Sequence, residues 1–283
     1  MQKTILILGG TGMLGAPVAR QLQADGFEVR LLARSAEKAQ ALFGHAFRLF
    51  EGDVSDCASL EWALAGCDGV HISVGGELDY RSAENVANLA PRLGVKHITY
   101  VSGSTVSEQN GWFPMVQQKL NAESAIRECG VPYTIFCPTW PMEQLPRFVR
   151  DGQATVIGEL PTPYHWFAAD DFGAMVSNAY QREDAVNKRL YVHGPEAIGM
   201  KDALGRYCET FYPEVKGVSV MPIAAARVVA VATGNDMLKF AAELMNYFKK
   251  VGEPGDPAEA NQLLGAPTTT LDAWIAQTKP ITA

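Results

Sequence analysis

A glycine-rich loop near the start of the chain constrains the fold more than any other feature. The apolar, β-branched run Thr4–Leu8 is typical of a buried strand, and Met13–Ala24 has the spacing of an amphipathic helix. Between them, Gly9, Gly12 and Gly15 follow the spacing G-x-x-G-x-x-G. Glycines in such a strand–loop–helix unit permit a tight turn, close approach of backbone to a diphosphate, and close helix packing. The loop therefore predicts a dinucleotide-binding unit at the start of the chain.

We expect the amides of this loop and of the first helical turn to face the diphosphate, because a helix N-terminus favours anions. The residues assigned to this part of the site are Gly9, Thr11, Gly12, Met13, Leu14 and Gly15.

Short apolar strands alternate with helical segments through the first half of the chain. This order predicts an α/β fold with a Rossmann-type doubly wound parallel sheet. The pattern changes near Pro138, where prolines interrupt short strands and loops. We therefore predict a dinucleotide-binding core over residues 1–140 and a smaller C-terminal α+β substrate lobe over residues 141–283, interleaved with the core. Within the lobe, Ile223–Lys250 is predicted to form one long helix.

The end of the second strand indicates which dinucleotide is bound. Proteins that bind NAD place Asp or Glu there to hold the ribose hydroxyls. Here the strand ends in Ala33-Arg34-Ser35, with Lys38 one helical turn further on. A guanidinium suits a 2′-phosphate, so Arg34, Ser35 and Lys38 predict NADP(H). The alternative is that Arg34 is a solvated surface residue.

The next two strand ends supply further candidates for cofactor contacts. Asp53 follows the third strand and is suited to accept from the adenine amino group, with Val54 against the ring. Capping of the following helix by Asp53 or Ser55 is an equally good explanation. After the fourth strand, small residues allow backbone to pass close to a ribose or phosphate. These residues are Ser73, Val74 and Gly75.

Composition narrows the possible partners and location. The formal net charge of -7 argues against nucleic acid as a partner. The five cysteines are scattered and form no C-x-x-C pair, and no His/Asp/Glu group has metal-ligand spacing along the chain, so no metal is predicted. No signal peptide precedes the first strand, and no apolar stretch reaches the length of a membrane span. We expect a cytoplasmic monomer or homodimer that does not contact membranes.

Later motifs, together with the glycine loop and Arg34, give the chain a family resemblance. It resembles the short-chain dehydrogenase/reductase superfamily, and more specifically its atypical NmrA-like branch. The segments that carry the resemblance are Tyr100–Ser104, Val131–Thr139, Ala169–Phe172, Asp256–Ala260 and Leu264–Thr269. The resemblance covers most of the chain and implies NADP(H) binding. Members of the branch include quinone- and dye-reducing enzymes, and also regulators that only sense the cofactor.

Typical members of the superfamily carry a catalytic Tyr-x-x-x-Lys after the fifth strand, and this chain departs from that pattern. The matching window is Met115-Val116-Gln117-Gln118-Lys119. Methionine cannot donate a proton, so reduction through a tyrosinate is not available here. The resemblance implies that Lys119 holds the nicotinamide ribose and favours negative charge on the substrate; a solvated helix lysine is the alternative. Ser102, at the end of the fifth strand, either positions the ligand or makes a local backbone hydrogen bond.

The remaining site predictions concern the sixth strand end and an aromatic pocket. Pro138 and Thr139 are expected beside the nicotinamide. Aromatic residues in nearby loops predict a pocket for a flat substrate, and ordinary lobe packing is as good an explanation for any one of them. The pocket residues are Trp112, Met115, Trp140, Tyr164 and His165. Among the five histidines, His165 is the one best placed to be an acid.

Together these features predict an NADP(H)-dependent oxidoreductase. It would pass a hydride to a quinone-like or other conjugated small molecule without the usual catalytic tyrosine. The alternative is a non-catalytic protein that senses NADP(H) and binds a protein partner.

Overall fold

The structure, a computed structural model, describes residues 2–278 and divides the chain into two compact units. The first unit comprises the chain up to Pro138 together with Ala169–Val192 and Asp256–Pro267. The second comprises Thr139–Ala168, His193–Gly255 and, of the described residues, 268–278. The first crossing lies two residues before the boundary predicted after residue 140. Two later segments, which the prediction places in the lobe, belong to the first unit.

The first unit is built on a seven-stranded parallel sheet, so the predicted Rossmann-type α/β fold is confirmed. In spatial order its strands are β10 (Lys188–Val192), β6 (Tyr133–Pro138), β5 (His97–Val101), β4 (Gly69–Ile72), β1 (Thr4–Leu8), β2 (Glu28–Ala33) and β3 (Arg48–Glu51). Every residue of β1, β4 and β5 is buried, as expected for strands covered on both faces.

Helices connect the strands of the first unit and cover its sheet. Numbered along the whole chain, they are α1 (Gly15–Ala24), α2 (Ala36–Phe43), α3 (Cys57–Leu64), α4 (Asp79–Leu93), α5 (Pro114–Glu128), α6 (Ala169–Ala179) and α10 (Ala258–Leu264). Because the strands are parallel, all their carboxyl ends lie at one edge of the sheet. This edge, where doubly wound sheets bind ligands, carries the glycine loop.

The second unit contains two small sheets and four α-helices within the described residues. One sheet has the order β12 (Val218–Met221), β8 (Gln153–Ile157) and β7 (Val149–Arg150), and the other pairs β9 (Tyr164–Trp166) antiparallel with β11 (Glu196–Ile198). The helices are α7 (Met200–Phe211), α8 (Ile223–Thr233), α9 (Asp236–Val251) and α11 (Leu271–Gln277). Trp166 and Tyr207 are fully buried in its core.

The prediction of one long helix over Ile223–Lys250 is wrong, because the chain breaks between α8 and α9. Gly234 adopts the left-handed conformation that ends a helix, with φ 63° and ψ 26°. The next residue, Asn235, begins α9 by accepting a hydrogen bond at its side-chain oxygen from the amide of Leu238, at 2.9 Å. Among all the described helices, α8 and α9 included, none has the length and apolar character that a membrane crossing requires.

Candidate functional site

The glycine loop adopts the close packing that its sequence predicts. Gly9 has φ of +78°, and a methyl group placed on it would lie 2.3 Å from the carbonyl oxygen of Ser73, at the end of β4. A methyl group on Gly15 would lie 2.2 Å from the Gly9 carbonyl oxygen. These two glycines therefore let β1, β4 and the start of α1 meet at the sheet edge.

Gly12 has a different role from its neighbours. It is exposed, and a methyl group on it would meet only the Gly9 carbonyl oxygen, at 3.1 Å, among the described atoms within 4 Å. The helix behind it begins without a side-chain cap, since Leu14 makes no capping hydrogen bond. Thr11 is exposed, and Met13 and Leu14 are half-buried. Open space in front of an uncapped helix N-terminus fits a dinucleotide diphosphate.

The end of β2 presents positive charge to solvent. Arg34 and Lys38 are exposed, and within residues 2–278 Arg34 makes no hydrogen bond or ion pair. Ser35 caps α2, its hydroxyl oxygen accepting from the Lys38 amide at 3.2 Å. The arrangement leaves the Arg34 guanidinium available for an anion beside the sheet edge, as a 2′-phosphate site requires.

The next two strand ends are held by local hydrogen bonds. The Asp53 carboxylate accepts from the amide and the hydroxyl of Ser55, at 2.8 and 2.7 Å, and these bonds lower its pKa. The cap of α3 is Asp56, so neither Asp53 nor Ser55 caps that helix. Val54 packs against the core of the first unit. At the end of β4, Ser73 and Val74 are half-buried and Gly75 is exposed.

Lys119 lies on α5 in a buried network of charged and polar groups. Its ammonium donates to a carboxylate oxygen of Asp79 at 2.7 Å and to the Val101 carbonyl at 3.0 Å. It also lies 5.3 Å from the ring centre of Tyr100, whose hydroxyl donates to Asp79 at 2.5 Å. The side chains of Lys119 and Asp79 are 14% and 4% exposed. Burial, with the nearby Asp79 charge, raises the pKa of Tyr100 well above its ordinary value.

Ser102 is also engaged within the first unit. Its hydroxyl donates to the buried carboxylate of Glu123, one helical turn after Lys119 on α5. Glu123 is further paired with Arg127 at 2.6 Å and with Arg189 at 3.0 Å. The hydroxyl of Ser102 therefore bonds a side chain of its own unit and not the backbone, so the interpretation of a local backbone hydrogen bond is wrong. That Ser102 positions the ligand stays a prediction.

The predicted pocket residues are distributed over the two units. In the first unit, Trp112 is 56% exposed and makes an edge contact with Phe113, and Met115 is half-buried in the first turn of α5. Trp140, Tyr164 and His165 belong to the second unit. That all five line one pocket stays a prediction. Pro138 is the last residue of β6, and Thr139 is the first residue of the second unit.

Within the second unit, an aromatic cluster surrounds Trp140. Its ring centre lies 4.9 Å from that of Phe248, 5.8 Å from Trp166 and 6.1 Å from Tyr164. The indole N–H of Trp140 is buried and has no hydrogen-bond partner within residues 2–278. Burial, followed by the charge of Glu253, raises the pKa of Tyr164 to about 12. Tyr164 therefore stays protonated at neutral pH.

Three acidic residues are absent from the sequence-based site, namely Asp79 and Glu123 of the first unit and Glu253 of the second. Glu123 had a usable signal, because it follows Lys119 by four residues on one helix face. Asp79 lies 40 residues before Lys119, and Glu253 lies 88 residues after the His165 that it binds. No local pattern links such distant partners.

Comparison with protein families identifies the group to which the chain belongs. The model of the NmrA-like family matches residues 1–270. The chain belongs to the NmrA-like family. The family predicted from the glycine loop and the later motifs is therefore confirmed.

Relatives and solved structures agree with this assignment. An NAD(P)H azoreductase of Xenophilus azovorans is 25% identical, over 88% of this chain and 87% of that protein. The fold matches an NADPH-dependent quinone oxidoreductase of Escherichia coli, solved with NADPH, at 22% identity and TM-score 0.78 over 96% of this chain and 98% of that one. It also matches NmrA, a negative transcriptional regulator solved with NADP, at 17% identity and TM-score 0.72 over 98% and 95%. The chain spans about half the length of three further curated relatives that it matches, among them quinone oxidoreductase 2 of Escherichia coli.

Proposed function

We propose that this protein is an NADP(H)-dependent oxidoreductase whose hydride acceptor is a quinone-like or other conjugated small molecule. The observation that carries the proposal is the open glycine loop with an exposed Arg34 at the adjacent strand end. Both features lie at the carboxyl edge of the sheet, where doubly wound proteins bind dinucleotides.

The predicted oxidoreductase class and the predicted NADP(H) cofactor are confirmed by the relatives. The azoreductase is named for its use of NAD(P)H, and the matching quinone oxidoreductase structure contains NADPH. These names also support a small-molecule substrate. The nature of the acceptor is the part that rests on this chain's own residues.

Both backbone amides and side chains of the first unit bind the cofactor. Amides of the loop on either side of Gly12 bind the diphosphate, and Arg34 pairs with the 2′-phosphate. The amides of Gly12 and Ala16 are not among them, because they donate to the Gly9 and Gly12 carbonyls at 2.9 and 3.0 Å.

Two of the three N–H donors of Lys119 are used by Asp79 and Val101. We assign the third to a ribose hydroxyl. When bound, NADPH supplies the hydride.

Met115 limits the acceptors that the protein can reduce. It occupies the position where the superfamily usually has its proton-donating tyrosine, and a thioether donates no proton. An acceptor whose reduced form is a stabilised anion needs no such donor, because water protonates it afterwards. Quinones and azo dyes have this property. A cationic triphenylmethane dye becomes neutral when it gains a hydride and needs no proton at all. Simple ketones and aldehydes would give an alkoxide, which is not stabilised in this way.

A panel of acceptors tests the proposal. NADPH oxidation is followed by absorbance at saturating cofactor with quinones, azo dyes and triphenylmethane dyes, and with a simple ketone as the matched control. We expect turnover with at least one conjugated class and none with the ketone. Reduction of the ketone as fast as of the quinones contradicts the proposed role of Met115.

The second candidate function is a sensor of NADP(H) that lacks turnover. It is favoured by the internal pairing of Lys119 and Ser102, the two groups predicted to act in catalysis. A sensor would bind NADPH tightly in a titration and yet oxidise it with no member of the panel. That outcome would replace the first proposal.

A further inference from the structure

Three side chains that ligate metals converge in the second unit from distant parts of the chain. His165 lies in β9. In the sequence, His193 comes directly after the last residue of β10, and Glu253 comes two residues after the end of α9. Each offers one ligand atom, and the three atoms lie within 4.8 Å of one another. We propose that His165, His193 and Glu253 bind a divalent transition-metal ion of the zinc type. Sequence spacing predicts no metal, because the ligands are brought together only by the fold.

The backbone around Gly194 fixes the two histidines side by side. The Gly194 amide donates to the His165 carbonyl at 3.1 Å, and the Thr139 hydroxyl donates to the same oxygen at 2.5 Å. A methyl group on Gly194 would lie 1.7 Å from the Trp166 carbonyl oxygen, so only glycine allows this approach to β9. As a result, the rings of His165 and His193 stack at 5.4 Å with 22° between their planes.

Glu253 is held against His165 by both of its carboxylate oxygens. One oxygen accepts from the His165 amide at 2.8 Å, and the other lies 2.5 Å from Nδ1 of the same residue. The Glu253 side chain is only 5% exposed. It also follows the carboxyl end of α9, where the helix dipole adds partial negative charge. A buried carboxylate at such a place is stabilised by a cation.

Zinc coordination requires only short movements of these side chains. Zinc–nitrogen and zinc–oxygen bonds of about 2.0–2.2 Å put neighbouring ligands of a tetrahedral site about 3.4 Å apart. The Nδ1–oxygen contact of His165 and Glu253 must open by roughly 1 Å, and the widest ligand pair must close by a little more. The ion then takes the place of the proton between these two atoms, and that proton moves to Nε2 or to solvent.

The ligand set also indicates the class of ion and its access. Two imidazoles and one carboxylate leave a fourth position for water, and this set favours zinc, cobalt, nickel or copper over magnesium and calcium. The His165 side chain is 39% exposed, so an ion reaches the site from solvent.

Metal titration of the full chain without NADPH tests the site independently of reductase activity. After dialysis against a chelator, cobalt(II) is added and its visible absorption recorded, and zinc binding is measured by calorimetry. We expect one ion per chain and the absorption of four-coordinate cobalt. His165→Ala, His193→Ala and Glu253→Gln should each weaken metal binding by more than roughly a hundredfold. Loss of an outer-shell partner typically costs tenfold to roughly a hundredfold, and loss of a ligand should cost more.

His45→Ala is the matched control, because His45 is exposed and lies in the first unit. It should leave binding unchanged. Glu253→Gln keeps the size and shape of the side chain, and its circular dichroism and thermal unfolding establish that the variant folds. Absence of the cobalt spectrum, or zinc binding that Glu253→Gln leaves intact, overturns the proposal. His165 and Glu253 would then form a hydrogen-bonded pair and nothing more.

Discussion

At the end of β2, Arg34 is exposed and, within the described residues, contacts no carboxylate, whereas Lys119 on α5 lies 2.7 Å from Asp79. Both cations belong to the same sheet edge of the first unit, and both are predicted to hold the cofactor. We call the first region, comprising the loop 9–15 and Arg34, the open region. The second, comprising Lys119, Ser102 and their partners, is the paired region.

The two regions differ in whether their predicted ligand-binding groups already have partners within the protein. In the open region, Gly12 and the Arg34 guanidinium are exposed, and the guanidinium has no hydrogen-bond or ion-pair partner among the described residues. In the paired region, the side chains that would serve a ligand are bound to buried carboxylates, since Lys119 pairs with Asp79 and the Ser102 hydroxyl donates to Glu123.

Substitutions of Gly12 and Arg34 should therefore affect binding, whereas substitutions in the paired region should affect both stability and turnover. Gly9 and Gly15 are the exceptions in the open region, because a methyl group on either would collide with backbone.

The largest expected effect is that of Lys119→Met in the paired region. It leaves Asp79 buried without its cation, so the free energy of unfolding should fall by about 3–5 kcal/mol. Turnover should fall roughly a hundredfold, as for loss of one electrostatic contact in a dry site. NADPH affinity should change by less than about tenfold, because phosphate contacts supply most of it.

Urea unfolding and stopped-flow hydride transfer measure these effects. Lys96→Met is the control, because Lys96 pairs with Asp68 at 2.8 Å but is 76% exposed. It should cost less than about 1 kcal/mol. The double variant Asp79→Asn/Lys119→Met should recover stability without recovering turnover. An unchanged hydride-transfer rate in Lys119→Met would remove this lysine from the mechanism.

In the open region, Gly12→Val should weaken NADPH binding at least about a hundredfold, or ~2.7 kcal/mol, by filling the space for the diphosphate. Its stability should change little, because only the Gly9 carbonyl is near. Fluorescence titration measures the affinity for NADPH, and urea unfolding measures the free energy of unfolding. Gly9→Ala is the contrasting variant, since its φ of +78° and the Ser73 carbonyl oxygen at 2.3 Å predict loss of stability instead. Normal NADPH binding by a folded Gly12→Val variant contradicts the placement.

Arg34→Ala should weaken NADPH binding by about 1.5–3 kcal/mol, the range for a hydrogen bond to a charged group, and leave NADH binding almost unchanged. The control is Arg48→Ala, which removes an exposed arginine of the neighbouring strand β3. Parallel titrations of both cofactors provide the comparison. Equal affinities of the wild-type protein for NADPH and NADH would show that Arg34 does not bind the 2′-phosphate.

The smallest effect is expected for Met115→Ala. Met115 is half-buried and donates no proton, so its loss should change substrate affinity or stability modestly, by less than about 2 kcal/mol. The pH–rate profile should keep its shape. Disappearance of an acid limb in this variant would show that a titrating group depends on Met115.

The close-packed glycine turn of the open region could be predicted from the sequence, because its signal is local. A strand, three glycines and a helix follow one another between Thr4 and Ala24, and this local order determines the tight turn at the sheet edge. The cation at the end of β2 follows from the same repeating unit. The long helix was mispredicted although Gly234-Asn235 carries a recognisable stop and start signal.

The paired region and the histidine cluster depend on packing between distant segments. Asp79 meets Lys119 only after α4 and α5 pack together, and Glu253 meets His165 only after α9 ends beside β9. Charge pairs of this kind have no periodicity in the sequence. Only folding selects which of the 31 acidic residues faces which cation.

The edge strand β10 of the central sheet is synthesised long after its neighbour β6. Strand β10 closes the outer edge of β6, but it is made only after the whole segment Thr139–Ala168 has been synthesised. Until then, β6 presents unpaired backbone groups along an apolar edge, a template for pairing with other chains. A fragment cut at residue 140 keeps that bare edge permanently. We therefore expect such a fragment to aggregate, although its sequence resembles a complete nucleotide-binding domain.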